Sequence, residues 1–329
     1  MMRLPPFVLL RPTTAEEAAR MLASEGPSAA LLAGGTDLLP DMKRRQRTPK
    51  TLVSVASIEG IRGRAWNEAG ALRIGAGESL RALERDERLA AVHPGLHDAI
   101  LSISTPILRT MGTIGGNVCL DTRCDYYDQD EPWRRAIDFC KKCEGETCWT
   151  APGSDRCWAV NSSDSVPVLI ALGARIHLVG SEGARDLPLA DFFRDDGIDY
   201  LAKQSDEVLT AIEVPPPALA RTVYRKVRRR GAFDFPVAAV AVRLSMQRDR
   251  VEAARIVLSG VASAPIVCGE AAALLVGRRP EDDLLREVAK RAVRRAKPLD
   301  NTDHAPAWRK RVLRVEVRRA LERASRSAP

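Results

Sequence analysis

Apolar positions along the chain follow two periods, and the period changes part-way through. Over 13–25, Ala18, Met21 and Leu22 share one face, Thr14 is placed to cap and Glu17 follows three residues on, which predicts a helix. Short apolar runs at 29–33, 52–56 and 72–74 predict strands, and helical patterns near 79–85 and 96–102 lie between and behind them, the second stopping near Pro106. Strands alternating with helices predict a layered α/β arrangement. A helix over 166–172 closing at Gly173, a strand over 175–179, an apolar piece at 187–193 and a strand over 207–214 complete this part. Pro215-Pro216-Pro217 ends it, because three prolines can extend neither a helix nor a ladder.

Beyond the prolines, 222–227, 237–246 and 252–261 predict three consecutive strands of an antiparallel meander. Helices follow over 269–276, 281–296 and 306–324. In the last, Leu313, Val317, Ala320, Leu321 and Ala324 form one buried stripe and the other faces are mostly arginine, expected to be solvated.

Two glycine pairs interrupt the first part. Gly34-Gly35-Thr36-Asp37 follows a predicted strand, and Thr113-Ile114-Gly115-Gly116-Asn117 follows a predicted helix. Without a Cβ, backbone N–H groups can approach an anion closely, so two such turns suggest a pyrophosphate held from two sides. Neither is a Walker A loop or a G-x-G-x-x-G fingerprint.

Cysteine is more concentrated than glycine. Of seven cysteines, six (119, 124, 140, 143, 148, 157) fall between the second glycine pair and Ser162-Ser163-Asp164, together with Tyr126, Tyr127, Trp133, Phe139, Trp149 and Trp158. No histidine lies there, so a metal site would be thiolate-rich. Three chemistries fit the residues: an iron–sulfur cluster on four thiolates, a structural zinc site, or a redox pair at Cys140 and Cys143. Cys268, alone in the C-terminal part, reads as a small buried apolar residue.

The chain has 329 residues, 45% hydrophobic and 29% charged, as in ordinary globular proteins. Its longest N-terminal apolar run, Phe7-Val8-Leu9-Leu10, is too short for a signal core or a membrane span, which predicts a cytoplasmic protein with reduced thiols and no membrane association. The net charge of +8 is concentrated at 223–230 and 278–326 without any nucleic-acid-binding pattern, so no nucleic-acid partner is expected.

From Arg11-Pro12 through the C-terminal part, the chain resembles the medium subunits of molybdenum hydroxylases. The likeness rests on Ala33-Gly34-Gly35-Thr36-Asp37-Leu38 and Thr113-Ile114-Gly115-Gly116-Asn117. The resemblance implies an α+β fold with a two-part FAD-binding domain, 1–217 (parts about 1–58 and 59–217), then a small C-terminal domain, 218–329, of three antiparallel strands and helices. It implies FAD contacts at Ala33, Gly34, Gly35, Thr36, Asp37, Thr113, Gly115, Gly116, Asn117, Ser163, Asp164, Leu209 and Lys226. The cysteine-rich insert, 118–161, resembles that of one subgroup, the β subunits of 4-hydroxybenzoyl-CoA reductases. Asp121-Thr122-Arg123-Cys124 and Cys157-Trp158-Ala159-Val160 give the registration. That likeness implies a 4Fe–4S cluster on Cys124, Cys140, Cys148 and Cys157, leaving Cys119 and Cys143 over, with Cys143 the alternative to Cys140. It further implies an oxidoreductase subunit with no catalytic residue of its own. Electrons would come from ferredoxin and pass through the cluster and FAD to a small 2Fe–2S subunit and a large molybdenum-cofactor subunit. The alternatives are the FAD subunit of another molybdenum hydroxylase and, from a different class, a non-catalytic zinc or thiol sensor.

Overall fold

The structure, a computed structural model, describes residues 3–217 and 219–326. The expected domain limit at 217/218 therefore abuts a residue outside the described ones, as does the end of the chain at 327–329. Thr51–Ser54 is buried throughout, because it is the central strand of a three-stranded parallel sheet flanked by Val8–Leu10 and Ala29–Leu32. The helix Ala15–Glu25 begins as its sequence predicts: the Thr14 hydroxyl accepts from Glu17 N, and the Glu17 carboxylate accepts from Thr13 N.

The second sheet has five strands, in the order Arg64–Trp66, Leu72–Gly75, Val208–Val214, Arg175–Gly180 and Gly183–Pro188. All its pairings are antiparallel. Ser165–Leu172 is almost wholly buried and closes at Gly173 in the left-handed region (φ 84), where the glycine is needed. The helix Pro94–Ser102 stops short of Pro106 as expected, and the proline then takes a second role. It opens a helix, Pro106–Met111, capped by Thr105, because proline's missing N–H costs nothing in a first turn.

The C-terminal sheet runs Ile266–Val267, Arg250–Ser259, Ala238–Gln247, Ala220–Val227, again antiparallel. It has four strands where three were expected, since a two-residue strand carries no periodic signal. Ala238, Val240, Val242 and Leu244 pack against the C-terminal helices, while Ala239 and Ala241 join the core of the first part. A sheet buried on both faces explains the continuous apolar run. On the last helix, Pro306–Ser325, the apolar stripe is buried as predicted. Arg309 departs from the solvated-arginine expectation: it is fully buried and donates to the carbonyls of Val237, Leu299 and Gly260.

His93 joins two helices, Glu87–Val92 and Pro94–Ser102, and stacks on Trp66 at 5.7 Å. Burial lowers its pKa from 6.5 to about 4. The folded state therefore refuses a proton that the unfolded chain accepts. The corresponding stability is complete above about pH 6.5 and is lost as pH falls toward 4. At 1.36 kcal/mol per unit this is about 3 kcal/mol. His93→Phe, which keeps the stacked ring, should lose this part of the pH dependence; identical pH–stability curves for the two proteins would contradict it.

Candidate functional site

The two glycine pairs meet. A Cβ on Gly34 would lie 2.0 Å from the Met111 carbonyl oxygen, so the first turn lies directly against the end of the helix that leads into the second. Gly35 has φ 71, available to glycine at little cost. Gly115 donates to the Ala76 carbonyl at 2.8 Å, and a Cβ there would lie 2.7 Å from Ala76. The Thr113 hydroxyl caps the turn by accepting from Gly116 N at 3.0 Å.

Between the turns lies a cavity of about 510 Å³. Of the expected contacts, Ala33, Gly34, Gly35, Thr36, Asp37, Thr113, Gly115, Gly116, Asn117, Asp164 and Leu209 line it, and Ser163 and Lys226 do not. Ser163 stands behind the wall, donating to Asn117 Oδ1 at 2.9 Å; Ser165 Oγ donates to the same oxygen at 2.6 Å. Lys226 holds Asp164, with Nζ 2.8 Å from Oδ2, and Tyr224 OH donates to Oδ1 at 2.6 Å. Burial pushes the Asp164 carboxyl up and the Lys226 ammonium down, and their pairing opposes both shifts.

Sequence reasoning missed Arg123, Lys203, Phe233 and Phe235, which also line the cavity. Arg123 lies 3.5 Å from Asp37 of the first glycine turn and stacks over the Phe235 ring at 3.9 Å. Its place directly before Cys124 was the only signal available.

The neck of the insert is closed by paired backbone hydrogen bonds, Arg123 N to Val160 O (2.9 Å) and Val160 N to Arg123 O (2.7 Å). Inside, Cys124, Cys140, Cys148 and Cys157 are all buried. Cys124, Cys140 and Cys157 pack in one cluster with Tyr127 and Ala159, and Cys148 interacts with Cys157 and Cys140. One backbone N–H reaches a sulfur, Ala159 N donating to Cys157 Sγ at 3.4 Å, and the Thr150 hydroxyl lies 3.6 Å from Cys124 Sγ. The Tyr127, Cys143 and Ala151 N–H groups close turns on the carbonyls of Cys124, Cys140 and Cys148. Amide donors suit thiolates, and hydrogen bonds to sulfur are a recurrent feature of iron–sulfur sites.

The remaining cysteines differ. Cys268 acts as a donor toward the Ile266 and Ala292 carbonyls, as a neutral thiol does, and burial pushes it up to about 12. Burial pushes Cys119 up to about 11, as it does Cys124, so this shift does not set the two apart. Cys143 is half-buried and accepts from the buried Arg134 guanidinium at 2.9 Å. Among the described residues, no three His, Cys, Asp or Glu side chains come close enough to share one metal ion. A tetrahedral zinc, with Zn–S of ~2.3 Å, would need sulfurs about 3.8 Å apart. Four buried thiols gathered in one insert are the donor set that a multi-iron cluster takes.

A family profile described as "FAD binding domain in molybdopterin dehydrogenase" matches residues 5–217, and one described as "CO dehydrogenase flavoprotein C-terminal domain" matches 222–324. The carbon monoxide dehydrogenase medium chain of Afipia carboxidovorans is 32% identical over 320 residues, covering 97% of this chain and 96% of that one. The FAD-binding subunit of an Escherichia coli aldehyde oxidoreductase is 34% identical over 268 residues, covering 79% and 82%. Among solved structures, a cyanide-inactivated Cu,Mo-CO dehydrogenase superposes with a TM-score of 0.82 at 30% identity, covering 98% of this chain and 99% of that one.

The packing of Gly34 on Met111 makes a direct test. Gly34→Ala should lower flavin affinity at least about tenfold, ~1.4 kcal/mol, read as flavin absorbance per purified protein. Gly153→Ala, where a Cβ meets nothing within 4 Å, should leave it unchanged. Full flavin content in Gly34→Ala would contradict the role given to the first turn.

Proposed function

This chain belongs to the FAD-binding subunits of the molybdenum hydroxylases, and from that premise we propose that it is the flavo-iron–sulfur subunit of a 4-hydroxybenzoyl-CoA reductase. Its large partner would carry out the substrate chemistry: 4-hydroxybenzoyl-CoA, two electrons and two protons give benzoyl-CoA and water. The reading includes a small 2Fe–2S subunit and ferredoxin as donor. It takes 1–217 as the flavin domain, in parts of about 1–58 and 59–217, and 218–329 as the C-terminal domain.

The observation that carries the proposal is the set of four buried thiols, Cys124, Cys140, Cys148 and Cys157, in an insert closed between two walls of the flavin cavity. When bound, FAD would supply two-electron chemistry and a 4Fe–4S cluster one-electron chemistry. The chain's own residues bind, orient and insulate. In this reading the first glycine turn offers N–H groups to the pyrophosphate, the second, whose Gly115 and Gly116 N–H groups are taken by Ala76 and Thr113, lets the cofactor approach its backbone closely, and Leu209 gives the flavin an apolar contact. Lys226 and Tyr224 keep Asp164 fixed on the cavity wall. Tyr127 covers the thiols from inside, and the half-exposed Trp133 and Trp149 cover the insert's outer side.

A second reading, the FAD subunit of another molybdenum hydroxylase, is favoured by the identity to the carbon monoxide and aldehyde enzymes.

Metal and flavin content decide among these. About four irons and one FAD per chain are expected, with iron lost in Cys148→Ser and kept in Cys143→Ser and Cys268→Ser. About one zinc and no iron would overturn the proposal, and full iron in Cys148→Ser would overturn the ligand assignment.

A further inference from the structure

Lys142 occupies the second middle position of Cys140-Lys141-Lys142-Cys143, where an exposed lysine would be ordinary. Its side chain is instead only 6% exposed. Nζ lies 2.7 Å from Asp121 Oδ1 and donates to the Gly197 carbonyl at 2.7 Å and to the Thr122 hydroxyl. The Tyr127 and Tyr200 rings flank it at 5.1 and 5.4 Å. All three ammonium protons are thus spent inside the protein.

These partners belong to two different places. Asp121 and Tyr200 line the flavin cavity. Tyr127 packs with the thiols, and Lys142 itself lies between Cys140 and Cys143 in the chain. Gly197 lies against the thiols as well: a Cβ there would sit 2.6 Å from Cys157 Sγ, and its N–H donates to the Cys157 carbonyl at 2.9 Å. One residue therefore belongs to the thiol-bearing loop by its backbone and meets the flavin wall with its charge. A charge pair in so dry a position is screened far less than one at the surface.

We propose that Lys142 is a positioning residue that couples the insert to the flavin cavity, its ion pair with Asp121 setting the potential at which the insert's cluster accepts an electron. The proposal rests on the reading that the insert holds a 4Fe–4S cluster. Net charge and hydrogen bonds to sulfur are the levers by which a protein sets such a potential. Lys142→Met leaves the Asp121 carboxylate without its counter-charge, which disfavours adding an electron nearby. Asp121→Asn leaves the ammonium uncompensated, which favours it.

The test is anaerobic redox titration of the purified holoenzyme, following the cluster by electron paramagnetic resonance and the flavin by absorbance. In Lys142→Met the cluster should become at least about tenfold harder to reduce, ~59 mV more negative for one electron. In Asp121→Asn it should move in the opposite direction. Opposite signs separate an electrostatic role from a merely structural one, which would not reverse. Should Lys142→Met fail to retain iron, the positive shift in Asp121→Asn decides alone. Unmoved potentials in iron-replete variants would overturn the inference and leave the proposed function intact; a wild-type enzyme without iron in this chain would overturn both.

Discussion

The paired hydrogen bonds between Arg123 and Val160 close the neck of the insert, and the arrangement of the site follows from that closure. They set Cys124 immediately inside one end and Cys157 three residues inside the other. The same closure holds Arg123 where its guanidinium meets Asp37 and Phe235 on the cavity wall. At its other end the chain runs from Val160 directly to Asp164, buried against Lys226 and Tyr224. An insertion elsewhere on the surface would have left the flavin cavity intact but remote. Here the two ends of the insert form part of the cavity itself.

The insert has little hydrophobic core of its own. Its buried cluster is small, and much of what holds it is polar and directed outward. Gln46 donates to the Tyr127 carbonyl, Arg134 to that of Arg44, Asn301 to that of Trp158, and Arg156 pairs with Asp195. These ties reach three different regions of the fold, so the insert is suspended between them rather than folded independently. In the proposed reading, metal–thiolate bonds supply the stability that so small a core cannot. Arg134 fits the same picture, as a buried cation whose Nη1 is directed at a sulfur.

Much of this was legible because its signals are local. A strand followed by Gly-Gly, Thr14 with Glu17, and a helix ending at Gly173 are each readable within a few residues, and each forms as read. What was not legible depends on contacts across the chain. Arg309 sits on a helix face that looks solvated, yet it serves three carbonyls from other segments. Ser163 and Lys226 were expected on the cofactor from sequence alone, and their bonds to Asn117 and Asp164 became visible only in the fold. Lys142 reads as an ordinary surface lysine, because Gly197 and Asp121 reach it only in three dimensions. Two-residue Ile266–Val267 is a strand only because Val257 and Leu258 pair with it.

The central claim is that one chain carries two redox groups side by side. It is tested most directly by anaerobic reductive titration of the purified subunit, counting electrons taken up per bound flavin. The account predicts about three, two at the flavin and one at a 4Fe–4S cluster. An endpoint of about two, with a spectrum that is flavin alone, would contradict it.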